Sequence, residues 1–301
     1  MIHALHFAGG ALLAYLTARV LARARWTWRI PRVAIVSWQL IGLGFGLSAI
    51  GVPLALGLDP YDAAPGTALR MLAADLTGGR LPEGLGVGHL AAIAVSLGIG
   101  ATLIGTTINS LVRAVRAQRR HRELLTLVAR DDPAAPGALV LDHPLAAAYC
   151  LPGLHPRVVV SAGTLSLLDR AQLAAVLEHE RAHADERHDL VLLPFTALCR
   201  ALPWAGWLHA AAAMVALLVE MRADDRARDK HAEGPLASAL LRFAGAGPRL
   251  TPSGALGAAD RDVEARVQRL LVRRRPARVR GAVTLAAAAM LVALPISLFL
   301  S

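Results

Sequence analysis

Long stretches without a charge, each bounded by arginines, set the pattern of the chain. Ala4–Leu21 is apolar apart from His6 and Arg19, and Arg19 lies close enough to the end of its run to snorkel. Val33–Leu58, Leu90–Val112 and Val283–Leu300 carry no charged residue at all. Each run is close to the roughly 20 residues that cross a hydrocarbon layer as a helix. The pattern predicts four transmembrane helices. The first is read as a retained helix and not a signal peptide, because basic residues follow the run and no small-residue cleavage site is evident. Gly42, Gly44 and Gly46 in the second run, and Gly98, Gly100 and Gly105 in the third, are candidate sites of close helix packing. Asp59–His89, with its acids, Gly and Pro, reads as a polar loop.

The basic residues orient these helices. Arg23–Arg32, with Trp26 and Trp28 interleaved, has the character of an interface anchor. Arg113–Arg122 and Arg273–Arg280 form two further clusters. The positive-inside rule places all three in the cytoplasm, with the Asp59–His89 loop, the amino terminus and the carboxyl terminus outside. Composition agrees: the chain is 55% hydrophobic with a formal net charge of +10, too apolar for an ordinary soluble domain. A nucleic-acid role would need basic residues interleaved with a reading element, whereas these hug the apolar runs. The spanning runs also largely lack the paired ionisable groups of a transporter. Cys150 and Cys199 cannot build a disulfide framework and read as free thiols.

The section between the third and fourth runs is more polar. The expected organisation is 1–122 as three transmembrane helices with short loops, 123–280 as a cytoplasmic α+β domain, and 281–301 as a last transmembrane helix. Asp131–Gly137 reads as a turn-rich linker. Ala138–Leu141, Ala147–Cys150 and Arg157–Ser161 are strand candidates separated by Pro and Gly. They predict a small sheet whose edge can take up substrate backbone by strand addition. Ala201–Val219 is uncharged, but 190–219 is too short for two crossings, so it reads as a helical hairpin turning at Leu202-Pro203-Trp204. Residues 234–260 anchor no motif, and Arg261–Leu271 has helical spacing.

The chemistry is concentrated in Leu177-Glu-His179-Glu180-Arg-Ala-His183, an H-E-x-x-H run among good helix formers. His179 and His183, four apart, share a helix face and can offer two nitrogens to one metal ion, with Glu180 in reach of a water there. Downstream, Glu220 and Asp224 are also four apart. Glu220 completes a His, His, Glu set that leaves a fourth position for water. Asp224 is placed to orient a histidine from its outer nitrogen. His188 and Asp189 read as helix-surface groups, and so does His121. Asp185 and Asp225 read as solvated, and Tyr149 as a core or cleft-wall side chain. His143, His155 and His209 have no partner at ligand spacing.

Three amino-terminal apolar helices are followed by a basic collar, by Ala147-Ala-Tyr-Cys-Leu-Pro-Gly and by Val158-Val-Val-Ser. Then come the H-E-x-x-H run, a Pro-Trp hairpin, Glu220-x-x-x-Asp224, Val263-Glu-Ala-Arg-Val and a last helix. In this order the chain resembles the BlaR/MecR-like membrane zinc metallopeptidases of gluzincin type. Its motif pair also resembles the HtpX-like membrane quality-control proteases. The BlaR/MecR resemblance implies that 123–280 is a cytoplasmic α+β zincin-like metalloprotease domain, with zinc (Zn2+) held by His179, His183 and Glu220 and with Glu180 as general base. It implies regulatory proteolysis of a winged-helix repressor of the BlaI/MecI kind, or of the chain itself. The extracellular penicillin-binding sensor of the antibiotic receptors is expected to be lacking. The expected partners are a protein or peptide substrate and the lipid bilayer, with no direct nucleic acid. A non-enzymatic membrane signalling or scaffold protein that has kept the metal site is the competing class.

Overall fold

The computed structural model describes residues 1–80, 84–153, 155–246, 260–272 and 277–301. In chain order these form α1 (Ile2–Leu21), α2 (Pro31–Gly57), α3 (Pro65–Thr77), α4 (Val87–Val128), β1 (Ala129–Asp131), β2 (Ala138–Leu141), β3 (Ala148–Leu151), β4 (Arg157–Ser161), α5 (Ala162–Leu167), α6 (Arg170–Asp185), α7 (His188–Ala201), α8 (Gly206–Lys230), α9 (Glu233–Gly245), α10 (Asp260–Leu271) and α11 (Arg278–Leu300). The chain divides into two compact units. One comprises Met1–Ile108, Phe195–Ala212 and Ala277–Ser301, and the other Asn109–Pro194 and Ala213–Pro276.

The first unit is built from apolar helices. Here α2 packs against both α1 and α11. Small residues allow the approach: a Cβ at Gly44 would stand 2.6 Å from the Leu291 carbonyl oxygen of α11. Gly98 and Gly105 play no such part, since nothing lies within 4 Å of an added Cβ at either. Their helix, α4, turns Leu97 and Ile104 outward. A second difference from expectation is α3. The stretch read as a loop contains this helix, which starts at Pro65, where a fixed φ suits the first turn, and buries Ala68 completely. A third is the length of α4. It runs through the arginine collar to Val128 because the collar holds helix formers and no breaker.

The hairpin expected at 190–219 is present as α7 and α8, turning at residues 202–205. Its tip belongs to the apolar unit, where the Trp207 ring packs edge-on against Phe45, 5.0 Å between centroids, and Tyr15, 5.5 Å. Among the described residues, five helices are long and apolar enough to cross a membrane: α1, α2, α4, α8 and α11. The fifth beyond the expected four is α8.

The second unit carries a four-stranded sheet in the order β1-β2-β4-β3, with β2 and β4 parallel and the outer pairs antiparallel. Two of the strand expectations match in full; β3 lies one residue later, and β1, of which Asp131 alone falls in the stretch read as linker, is additional. Alternation along the strands sorts side chains to two faces. Val140, Val158 and Val160 face α6, α9 and α10, packing with Leu173, Leu177, Leu236 and Leu270. Tyr149, Leu151 and Val159 join Leu125 on the opposite side. At an edge of the sheet, β3 packs against α6.

Candidate metal centre

A capping box starts α6. The Asp169 carboxylate accepts from the Gln172 backbone N–H, and the Gln172 side chain accepts from the Asp169 N–H. The box fixes where the helix begins and so the phase of its faces. His179 and His183 then fall one turn apart on the buried face, 6% and 4% exposed. The second half of α8 does the same for Glu220 and Asp224, which are 8% and 0% exposed.

The three expected ligands converge. His179 Nε2 lies 3.1 Å from His183 Nε2 and 3.3 Å from Glu220 Oε2. His183 Nε2 lies 3.6 Å from Glu220 Oε1. Tetrahedral zinc with bonds of about 2.0–2.1 Å separates its N and O ligands by about 3.3 Å, so the set has zinc-like dimensions. Two imidazole nitrogens aimed at each other across 3.1 Å also need a cation or proton between them. The donor set fits the metal.

The outer nitrogens have close neighbours as well. His179 Nδ1 stands 3.0 Å from Asp224 Oδ1. His183 Nδ1 stands 3.0 Å from His188 Nδ1, and His188 is 2% exposed. His188 is therefore not a surface group. Arg187 between the two helices adopts a left-handed φ of 51°, which ends the α6 register and turns His188 back toward His183. Behind it, His188 Nε2 is 3.5 Å from Glu186 Oε2, and Arg222 donates twice to the Glu186 carboxylate, from Nε at 2.9 Å and Nη2 at 2.5 Å.

Sequence reasoning also missed Arg266 of α10, which is 2% exposed. Its Nε and Nη2 donate to the two Asp224 oxygens at 2.9 and 2.7 Å, and its Nη1 lies 2.8 Å from Glu220 Oε2. The spacing in Val263-Glu-Ala-Arg266 announced a helix but not that this arginine points inward. Asp225 takes no part at the cluster; it pairs with Arg269 at 2.7 Å. Asp185 is exposed. Tyr149 is buried and its hydroxyl lies 2.8 Å from His121 Nε2, so it serves as a wall of the sheet.

Burial and charge set the ionisation of the α6 groups. Burial pushes His183 down to about 3, keeping it neutral with a lone pair to offer. Burial also lowers His179, but the Asp224 and Glu220 carboxylates beside it outweigh that and raise it to about 9. Burial raises the half-buried Glu180 to about 7, against the pull of His179 and of a Cys150 backbone N–H from β3. A carboxylate poised near neutrality is suited to proton transfer. Burial raises Cys150 to about 12, so its thiol stays protonated and inert.

No curated protein and no solved structure matches the chain. Residues 114–241 match the model of Peptidase family M48, a span that holds His179, Glu180, His183, Glu220 and Asp224, and the match supports a metallopeptidase domain over that stretch.

Proposed function

We propose that this chain is an integral-membrane zinc metalloendopeptidase that hydrolyses peptide bonds on the cytoplasmic side of the membrane. The observation that carries the reading is the convergence of His179, His183 and Glu220 from two helices, with Glu180 beside the first histidine. His179, His183 and Glu220 would hold the ion, and zinc there would supply Lewis acidity and a lowered pKa for water. Glu180 accepts a proton from the attacking water as its oxygen bonds to the scissile carbonyl carbon. It returns that proton to the amine nitrogen as the C–N bond breaks. The substrate strand lies along β3, whose position at the sheet edge and against α6 brings a paired backbone to Glu180.

The membrane setting is supported by the five apolar helices, and its sidedness by the arginine clusters that flank them. The finer placement, a BlaR/MecR-like protease that regulates a winged-helix repressor or cleaves itself, rests on the order of motifs. The M48 match supports the metallopeptidase at a coarser level.

The test uses the full chain in detergent, purified as wild type, H179A and E180Q. The expected result is one zinc per chain for wild type and E180Q and none for H179A. Cleavage of an unfolded protein substrate should fall about 10²–10⁴-fold in E180Q. Equal cleavage by wild type and E180Q overturns the enzyme reading in favour of a signalling or scaffold protein. New amino termini in cells carrying wild type but not E180Q identify the substrate.

A further inference from the structure

We propose that Arg266 is a positioning residue that holds the Glu220 carboxylate against the two histidines; the inference rests on the metal site proposed above and concerns how that site is held. Arg266 lies on α10, outside the stretch that matches the M48 model. Its guanidinium is a planar fork, and both sides of the fork are used. One side takes both oxygens of Asp224. The other places Nη1 2.8 Å from Glu220 Oε2. Asp224 in turn stands against His179 Nδ1. One buried cation therefore ties a candidate metal-ligand carboxylate to the group that orients a candidate metal-ligand imidazole.

The hold reaches the histidines directly. Glu220 Oε2, which faces the guanidinium, lies 3.3 Å from His179 Nε2, and Oε1 lies 3.6 Å from His183 Nε2. Arg266 Nη2 itself lies 3.4 Å from His179 Nε2. A carboxylate oxygen that accepts one hydrogen bond keeps a lone pair for a metal, so the guanidinium orients Glu220 without displacing it as a ligand. Only arginine does this from one residue, because a lysine ammonium is a point charge that cannot span both carboxylates in one plane.

The experiment uses the full chain in detergent with Co2+ as a spectroscopic probe, comparing wild type, R266K and R266M. The visible absorption of Co2+ distinguishes four-coordinate from five-coordinate sites by intensity. Affinity for Zn2+ is read in parallel by competition with a chelator. The expected result is a Co2+ spectrum in both variants that differs from wild type, with Zn2+ affinity about 10–100-fold lower. R266K keeps the buried positive charge and carries the test where R266M fails to fold. A spectrum and affinity shared by wild type and R266K overturn the assignment and leave Arg266 a structural ion pair. Wild-type protein that takes up no Co2+ overturns the metal site itself, and this inference with it. A wild-type chain that shows the expected spectral change yet cleaves nothing retires the peptidase reading alone.

Discussion

Two helices of this chain, α4 and α8, both satisfy the length and apolarity of a membrane span, yet only 6% of the most apolar window of α4 is buried inside the protein, against 50% for α8. On α4, Leu97, Ile104 and Ile108 point outward, which in water would be a large exposed apolar surface. On α8, Val215, Leu218, Val219 and Met221 are entirely buried and lead directly into Glu220 and Asp224. Similar composition therefore does two jobs. The apolar face of α4 is turned outward, as suits a helix in an apolar surrounding, while that of α8 is a core that carries charge into the interior. The contrast extends to how each region is held: small residues and van der Waals approach around α2, an ionic network around α8.

If the ionic network holds the second region, Asp224→Ala should be the most damaging single change. It leaves Arg266 with one carboxylate instead of two and frees His179 Nδ1. Removing one partner of a buried charge group costs about 3–5 kcal/mol. The expected outcome is a large drop in the melting temperature of the detergent-solubilised chain, with loss of bound zinc. A melting temperature within a degree of wild type would mean that α8 is held by its apolar half alone.

His188→Ala is expected to act more locally. It removes the group 3.0 Å from His183 Nδ1 without unpairing an arginine, because Glu186 keeps Arg222. Losing such an orienting partner weakens metal binding about 10–100-fold. Chelator competition should show that loss at a melting temperature near the wild-type value. Unchanged affinity would make His188 packing only.

The pH profile sharpens the comparison further. Burial raises Glu180 to about 7, and the carboxylate is the form that accepts a proton. Activity should therefore rise with pH through about 7 and fall tenfold per unit below it, measured as kcat/KM on a peptide with no titratable group at the cleavage site. An acid limb near the ordinary glutamate range would place Glu180 in water.

Much of this was legible in the chain, for reasons that also mark where reading stops. The apolar runs and the strands at 138–141 and 157–161 announce themselves by period and by Pro and Gly at their ends. The H-E-x-x-H pair and Glu220-x-x-x-Asp224 each sit on one helix, where four-residue spacing is geometry. What was missed depends on contacts across the fold or on a single backbone angle. Nothing along the chain marks Arg266 as an inward residue until Glu220 and Asp224, more than 40 positions away, are known to face it. His188 is five residues from His183, not a shared-face spacing on a continuous helix, and the left-handed Arg187 alone brings it back. Candidate packing glycines on α4 could not be told from those on α2, because composition does not say which faces meet a neighbour.

The smallest effects, a pair of glycine substitutions, test the other half of the comparison. At Gly44 a Cβ would lie 2.6 Å from the Leu291 carbonyl oxygen, a backbone atom that cannot swing aside. Gly44→Leu should force α2 and α11 apart and cost about 1–3 kcal/mol. At Gly98 an added Cβ meets nothing within 4 Å, and alanine is the better helix former by about 0.8–1 kcal/mol. Gly98→Ala should therefore leave the melting temperature unchanged or slightly raised. Both variants should retain wild-type zinc content, since neither touches the ligand helices. Equal melting temperatures for the two would show that α2 is not held by close approach. The distinction drawn between a region held by small residues and one held by charge would then have to be given up.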